Sequence, residues 1–270
     1  MARYDFRDKV VIITGASSGI GRELSYQLAA QGAWLSLAGR NVERLEAAKA
    51  ECQKWGGKAA IAMQTDVSVA EQCAALVQRT VDEFGRVDVL INNAGITMWA
   101  NFEDVHDLGI FEQIMHVNYL GSLYCTHYAL PHLKQTKGLI VGISSLTGKA
   151  GVPTRSGYAA SKHAMAGFFD SLRIEVAPYG VSVTMIYPGF VASEVRARAL
   201  GPDGKPLVTS PVREGDVMPV ETCARLIIGA MAKRKRELVM TLRGKLGQWL
   251  KLIAPALVDR IASQAIKAGR

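Results

Sequence analysis

The stretch VVIITGASSGIG, residues 10–21, joins a β-branched apolar run to a glycine-rich turn. The apolar run predicts a buried strand. Apolar residues at helical spacing from about Gly21 to Gln31, closed by Gly32, predict a helix directly after it. Glycines at such a turn let the backbone approach a pyrophosphate, whose charge suits a helix N-terminus. We therefore expect a dinucleotide-binding loop, whose contact residues are Gly15, Ser17, Ser18, Gly19, Ile20 and Gly21.

Strand and helix signals keep alternating along the rest of the chain. Further strands are predicted at residues 34–38, 59–64, 87–91, 139–143, 181–186 and 237–240. Helices are predicted at residues 42–54, 68–84, 111–132, 158–177 and 220–232, the second of them beginning with a capping box at Ser68 and Glu71. This alternation indicates βαβ units. We predict an α/β fold: one Rossmann-type doubly wound parallel sheet with helices on both faces, in a single domain over residues 1–270.

The composition is that of a globular protein, with 49% hydrophobic and 21% charged residues among 270. The four cysteines show no C-x-x-C spacing and the five histidines form no metal-binding pair. We therefore expect reduced thiols, no metal and a cytoplasmic location. No apolar stretch in the sequence has the length of a membrane span, and no basic face with interleaved aromatic residues predicts a nucleic-acid partner.

Tyr158 and Lys162 stand four residues apart, and Ser145 lies thirteen residues upstream. On a helix this spacing puts the phenol and the ammonium group on one face. A cation beside a phenol favours the phenolate, so we expect a lowered pKa for Tyr158 and a role in proton transfer. Ser145 is positioned to donate a hydrogen bond to the same oxygen. A solvated helix face is the alternative interpretation of the Tyr–Lys pair alone.

The residue after the second predicted strand selects between dinucleotides in folds of this type. An acidic residue there binds a ribose hydroxyl, whereas an arginine suits a 2′-phosphate. This chain has Arg40 and no acidic residue at that place. Because guanidinium donors match phosphate oxygens, we expect NADP(H) to be preferred over NAD(H). The alternative is a solvated arginine.

Six motifs in order resemble the short-chain dehydrogenase/reductase family over about residues 9–240. They are T-G-x-x-x-G-x-G at residues 14–21, N-N-A-G at 92–95, Asn118, the serine pair at 144–145, Tyr158-x-x-x-Lys162 and Pro188-Gly189. The segments around Ser145 and Tyr158 also resemble the branch of hydroxysteroid dehydrogenases and carbonyl reductases, some of them membrane-associated.

The resemblance implies a role for each matching residue. Tyr158 is the expected acid/base, Lys162 lowers its pKa and binds ribose, Ser145 polarises the carbonyl, and Asn118 holds a water that relays the proton. The remaining expected cofactor contacts are Asp66, Val67, Asn92, Ala94, Gly95, Pro188, Gly189, Val191 and Ser193. The family also implies a homodimer or homotetramer through the helices at residues 111–132 and 158–177.

The substrate is expected to be an apolar carbonyl compound or alcohol, because the candidate wall is apolar. Its candidate residues are Thr97, Met98, Trp99, Val152, Pro153, Phe190, Val195 and Leu200. Residues 190–219 form a long excursion that we interpret as a substrate loop. Arg196, Arg198 and Arg213 within it are interpreted as solvated.

The basic charge is concentrated at the C-terminus. Residues 233–270 hold ten basic and two acidic residues, a net +8, whereas the first 232 residues hold 22 of each. Apolar residues at spacings of three and four in residues 241–270 predict a basic amphipathic helix, kinked at Pro255. Three roles are open: peripheral contact with a membrane surface, packing on a neighbouring subunit, or covering the body's own core.

These features favour an NADP(H)-dependent oxidoreductase that interconverts a ketone or aldehyde and an alcohol. A second possible activity is reduction of 3-oxoacyl groups on an acidic carrier protein, with the basic segment as docking site. A third interpretation, from a different class, is a non-catalytic dinucleotide sensor on the same fold.

Overall fold

The computed structural model describes residues 4–195, 198–207 and 217–267. Within them, parallel strands form a seven-stranded sheet in the order β3-β2-β1-β4-β5-β6-β7. The strands are β1 Val10–Thr14, β2 Trp34–Gly39, β3 Ala59–Gln64, β4 Val89–Asn92, β5 Leu139–Ile143, β6 Ser182–Tyr187 and β7 Glu237–Val239. The predicted doubly wound sheet is confirmed. Its strand order reverses between β1 and β4, and ligands bind at such a switch point.

Helices cover both faces of the sheet. They are α1 Gly19–Ala29, α2 Val42–Lys54, α3 Ala70–Phe84, α4 Gly109–Met115, α5 Gly121–Thr136, α6 Ser156–Val176, α7 Val220–Ala232, α8 Leu242–Ile253 and α9 Pro255–Lys267. Side chains of β1 alternate between the two cores because successive residues of a strand point to opposite faces. Val11 and Ile13 pack with α1, α2 and α7, whereas Ile12 packs with α3, α5 and α6. The assignment of residues 1–270 to one domain stays a prediction.

Helix α3 begins later than the sequence indicates, and the predicted capping box is wrong. The residue before the helix is Val69, and no side chain caps its first turn. Ser68 instead donates its hydroxyl hydrogen to Asp66 Oδ1 at 2.6 Å. A short polar side chain readily forms a hydrogen bond with a neighbouring group before a helix starts. Here the Ser68 hydroxyl is bonded to the carboxylate of Asp66 and does not cap the helix.

The predicted helix over residues 111–132 is interrupted. A π-helical turn, His116–Leu120, separates α4 from α5 and carries Asn118. Such wide turns are frequent at functional sites. The predicted kink at Pro255 is a complete break: Ala254 leaves helical geometry (φ −138°, ψ 67°), and Pro255 is the first residue of α9. A proline is tolerated there because the first helical N–H has no partner to lose.

Candidate active site

The glycine-rich turn after β1 has the backbone geometry that its sequence predicts. Gly15 and Gly19 adopt positive φ angles of 66° and 53°, a conformation that side chains rarely tolerate. A Cβ added at Gly21 would overlap the Asn93 amide nitrogen and the Gly15 carbonyl oxygen. Asn93 supports the turn from the neighbouring strand end, since its Nδ2 donates to Thr14 O at 2.9 Å and to Gly15 O at 3.2 Å. The turn fits a pyrophosphate approached by backbone N–H groups.

A cleft of about 740 Å³ runs along the carboxyl ends of the strands. Most of the expected site residues line it. The expected residues found in its wall are Gly15, Ser17, Ser18, Gly19, Ile20, Arg40, Asp66, Val67, Ala94, Gly95, Ser145, Val152, Tyr158, Lys162, Pro188, Gly189, Phe190, Val191 and Ser193. The same cleft therefore contains the glycine turn and the Ser–Tyr–Lys set.

Six expected site residues lie outside this wall: Gly21, Asn92, Met98, Trp99, Asn118 and Pro153. Asn92 is the last residue of β4, with its side chain buried and donating to Thr126 Oγ1 at 3.0 Å. The cleft residue is Asn93, because successive strand residues point to opposite faces. The side chain of Asn92 therefore does not line the cleft, and a cofactor contact at Asn92 stays a prediction. Trp99 is likewise not a wall residue.

At the end of β2, Arg40 is exposed in the cleft wall. It lies near Asp66, which follows β3. Burial alone would raise the pKa of Asp66. Hydrogen bonds from the hydroxyl and backbone N–H of Ser68, together with the positive charge of Arg40, outweigh burial and lower it. Asp66 is therefore an ionised hydrogen-bond acceptor at neutral pH and lies beside the exposed guanidinium group of Arg40.

Ser145 is the residue before a short 3-10 turn after β5. Its Oγ accepts a hydrogen bond from Thr147 N at 3.3 Å, which leaves its own hydrogen free to donate. Tyr158 and Lys162 lie one turn apart in α6. The ammonium of Lys162 is 5.8 Å from the centre of the Tyr158 ring and donates to Ile143 O at 2.9 Å. Two helical residues and one loop residue thus converge on one point of the cleft.

The ionisation of this set differs from the prediction. Burial raises the pKa of Tyr158 above its ordinary value, against the opposing effects of Arg155 and of a hydrogen bond with Ser145. Burial also lowers the pKa of Lys162 from 10.5 to about 8. The expected net lowering of the Tyr158 pKa is therefore wrong for this structure, because desolvation outweighs the effects that favour the phenolate.

Asn118 holds the active-site loops together. Its Oδ1 accepts from Ile96 N at 2.8 Å, and its Nδ2 donates to Ile96 O and to Ser161 Oγ, each at 2.9 Å. Gly95 fits between Asn118 and the Lys162 ammonium: a Cβ there would lie 3.1 Å from Asn118 Oδ1 and 3.5 Å from Lys162 Nζ. The side chain of Asn118 thus fixes the loop after β4 against α6, and a relay water held by it stays a prediction.

The substrate end of the cleft is partly as expected. Val152, Phe190, Thr97, Val195 and Leu200 line it, whereas Met98 and Pro153 do not. Within the predicted substrate loop, Arg196 and Arg213 lie outside the described residues. Arg198 is exposed, but it lines the cleft and its guanidinium bonds to Glu194, so it is not simply solvated.

Arg155 and Ala262 also line the cleft, and the sequence analysis missed both. Arg155 is only 7% exposed, and its guanidinium carbon is 4.3 Å from the ring centre of Trp99. The ring of Trp99 therefore packs on Arg155, and a contact between Trp99 and the substrate stays a prediction. A spacing of three from Tyr158 on the same helical face was the available signal for Arg155. Ala262 belongs to α9 and reaches the cleft only through the tertiary fold.

Helices α8 and α9 leave large apolar side chains in solvent. The exposed fractions are 72% for Leu242, 60% for Leu246, 69% for Trp249, 77% for Leu252 and 81% for Ile253. This exposure argues against the third predicted role, covering the body's own core. The helices contact the body beside the site, where a Cβ on Gly244 would lie 2.5 Å from Leu146, the neighbour of Ser145. Among the described residues, no helix has the length and hydropathy of a membrane span.

Comparisons with known proteins agree with this site. A family model described as short chain dehydrogenase matches residues 9–201. The chain is 38% identical to 11-beta-hydroxysteroid dehydrogenase-like 4A of Arabidopsis thaliana, over 93% of this chain and 82% of that protein. It is 33% identical to Dehydrogenase/reductase SDR family protein 7-like of Dictyostelium discoideum, over 97% and 84%.

A solved structure is similar as well. The alcohol dehydrogenase of the archaeon Thermococcus sibiricus, complexed with 5-hydroxy-NADP, superimposes with a TM-score of 0.74 and 29% identity, covering 86% of this chain and 95% of that one. The family model covers well over half of the chain, and the relatives are similar along nearly all of it. The chain therefore belongs to the short-chain dehydrogenase family of oxidoreductases, with its resemblance in the hydroxysteroid dehydrogenase-like branch.

Proposed function

We propose that this protein is an NADP(H)-dependent oxidoreductase that interconverts an apolar ketone or aldehyde and the corresponding alcohol, with Tyr158 as the acid/base. The observation that carries the proposal is the convergence of Ser145, Tyr158 and Lys162 in the cleft that also contains the glycine turn. A non-catalytic sensor would need only the turn.

The chain's own residues account for the proton chemistry. In reduction, Tyr158 donates its hydroxyl proton to the substrate oxygen, while the Ser145 hydroxyl donates a hydrogen bond to it. Ser145 is suited to this because Thr147 N already occupies an acceptor position on its oxygen. Lys162 then stabilises the phenolate. Oxidation reverses these steps, with the phenolate as base. The nicotinamide, when bound, supplies or accepts the hydride.

The NADP(H) preference rests on Arg40, which lines the cleft after β2 beside Asp66. An exposed guanidinium group matches a ribose phosphate better than a ribose hydroxyl. The archaeal alcohol dehydrogenase, complexed with 5-hydroxy-NADP, supports the same class of cofactor.

The far wall of the cleft supports the proposed substrate class. Val152, Phe190, Val195 and Leu200 give it an apolar surface, and relatives named as hydroxysteroid dehydrogenases support a bulky alicyclic substrate. We expect ketosteroids to be better substrates than short polar ketones.

The test is absorbance of NADPH during reaction with a ketosteroid, acetophenone, a long-chain methyl ketone and an acyl thioester, with NADH as the alternative cofactor. Tyr158→Phe should lower turnover by about 10²–10⁴-fold while leaving the melting temperature and NADPH affinity unchanged. Near-normal turnover by that variant would refute the assignment. A preference for the thioester, lost when the chain ends at Thr241, would favour carrier-protein reduction instead.

We also propose that α8 and α9 bind an anionic lipid surface. Their apolar side chains are exposed, and residues 233–270 carry +8 on an otherwise neutral chain. This combination of exposed apolar residues and positive charge suits anionic headgroups, each nearby basic residue adding about 1 kcal/mol. Ala262 of α9 lines the cleft, so lipid-dissolved substrate would enter next to the membrane.

Co-sedimentation with phosphatidylserine vesicles tests this contact. We expect wild type in the pellet at low salt and release at high salt. Trp249→Asp/Leu252→Asp should stay in the supernatant, whereas Leu108→Asp, at a 64% exposed residue elsewhere, should behave as wild type. Wild type absent from the pellet would refute membrane binding. A concentration-dependent dimer abolished by the same double variant would assign the face to a second copy.

A further inference from the structure

Arg155 is a buried arginine next to the acid/base residue. It precedes the first residue of α6, is 7% exposed and lines the cleft. Its guanidinium carbon lies 4.3 Å from the ring centre of Trp99 and 5.7 Å from those of Phe190 and Tyr158. Arginine faces aromatic rings at such distances in favourable cation–π contacts. The rings therefore hold a charged group at a fixed distance from Tyr158.

Two cations lie within 6 Å of the centre of the Tyr158 ring. Arg155 is 5.7 Å from its centre, and Lys162 is 5.8 Å away. The two cations are not equivalent, because an arginine stays charged at every accessible pH. Burial lowers the pKa of Lys162 to about 8, so near that pH Lys162 carries its charge only half of the time. The permanent charge beside Tyr158 belongs to Arg155.

The other surroundings of Tyr158 supply little charge. Met98, Ile110 and Phe111, from the loop after β4 and from α4, form the apolar cluster against which Tyr158 packs. Ser145 contributes a hydrogen bond from the loop after β5. Among the residues that the structure describes, the charged groups close to the ring are therefore Arg155 and Lys162. Arg155 directly precedes α6, and Lys162 lies in its second turn.

We propose that Arg155 is a positioning residue of the active site, which acts through Tyr158 by stabilising its phenolate form. This inference rests on the proposed function of Tyr158 as acid/base. Arg155 favours the phenolate electrostatically while Lys162 titrates, so the base needed for alcohol oxidation remains accessible on the alkaline side of neutrality. In agreement, Arg155 has the largest lowering effect on the Tyr158 pKa.

The test measures the ionisation of Tyr158 without a substrate. Ultraviolet absorbance of tyrosinate is followed against pH for the full chain and for the same chain with Tyr158→Phe, and the difference gives the titration of Tyr158 alone. Arg155→Met removes the charge and retains the aliphatic bulk. It should raise the midpoint by about one pH unit, a tenfold loss of phenolate below the midpoint.

Arg155→Lys retains a charge and should keep the midpoint within a few tenths of a unit of wild type. Arg173→Met, a loss of charge further along α6, should leave it unchanged. If Arg155→Met does not fold, Trp99→Leu removes the ring beside the guanidinium and should give a smaller rise. A midpoint unchanged in Arg155→Met, or raised equally in Arg155→Lys, overturns the inference.

The two proposals fail in different ways. Turnover that survives Tyr158→Phe would refute the proposed acid/base but leave the titration interpretable. Turnover that requires Tyr158, combined with an unchanged midpoint in Arg155→Met, would refute only the role of Arg155.

Discussion

The two ends of the cleft are built differently. At the cofactor end, residues follow the ends of neighbouring strands, and the surface is formed largely by backbone, glycine and small side chains such as Ser17 and Ala94. At the substrate end, Thr97, Arg155, Phe190 and Ala262 come from segments distant in sequence and contribute whole side chains. The cofactor end thus depends on where the backbone passes. The substrate end depends on which side chains are present and how they are charged.

Lys162 lies where the two ends meet, and changing it should have the largest effect. Lys162→Met removes the cation that accompanies Tyr158, so turnover should fall by at least about a hundredfold, as for other proton-transfer groups. Stability should move in the opposite direction. A 3% exposed ammonium group loses hydration on folding, and methionine fills a similar volume without that cost.

The direction of this stability change, and its dependence on pH, follow from the lowered pKa of Lys162. Its value is about 8 in the folded chain against an ordinary 10.5, so the unfolded chain binds more protons between these values and stability rises with pH there. The cost of burying the charge is complete below pH 8 and disappears above the ordinary value. In denaturant unfolding without cofactor, Lys162→Met should gain about 1–3 kcal/mol at neutral pH. A gain that does not shrink as pH rises through this window would contradict the argument.

A methyl group at the cofactor end tests its dependence on backbone. In Gly21→Ala the Cβ would overlap Asn93 and the Gly15 carbonyl, so the turn must move. Overpacking of this kind costs about 2–3 kcal/mol, which we expect as roughly a hundredfold weaker NADPH binding by fluorescence titration. Gly167→Ala is the matched control, since nothing lies within 4 Å of its added Cβ. Equal affinities for the two variants would show that backbone clearance does not limit binding.

The same difference between the two ends of the cleft explains which features could be predicted from the sequence alone. The doubly wound parallel sheet and the site residues after β1, β2, β5 and β6 could be predicted, because in a parallel sheet all carboxyl ends meet at one edge. Asn92 and Asn93 could not be separated, since a shift of one residue in the end of β4 exchanges the inward and outward side chains. The motif was correct, but the position within it depends on the exact strand end.

The substrate end was harder to predict from the sequence, because its contacts join segments that are distant in the chain. Trp99 was assigned to the substrate wall from its apolar character, but its ring packs on Arg155. The ionisation of Tyr158 was also missed. Spacing places a cation on the same helical face, whereas the pKa depends on how much water the folded chain removes from both groups. Desolvation is a property of the packed structure.

A reversal of charge at Arg40, in the cofactor end of the cleft, should have the smallest effect on activity and should act specifically on the choice of cofactor. Arg40→Asp replaces the proposed phosphate-binding cation by an acceptor for ribose hydroxyls. The ratio of NADPH to NADH kcat/KM should therefore fall roughly thirtyfold, which corresponds to about 2 kcal/mol. Arg44→Asp is the matched control, four residues further along the chain in the first turn of α2. Its guanidinium pairs with Glu194 at 2.7 Å and does not line the cleft. An exposed pair contributes little, so that variant should change the ratio by less than about threefold. A larger effect from Arg44→Asp would make Arg44 the selector and show that it leaves Glu194 when the cofactor binds. An unchanged ratio in both variants would show that neither arginine selects the cofactor.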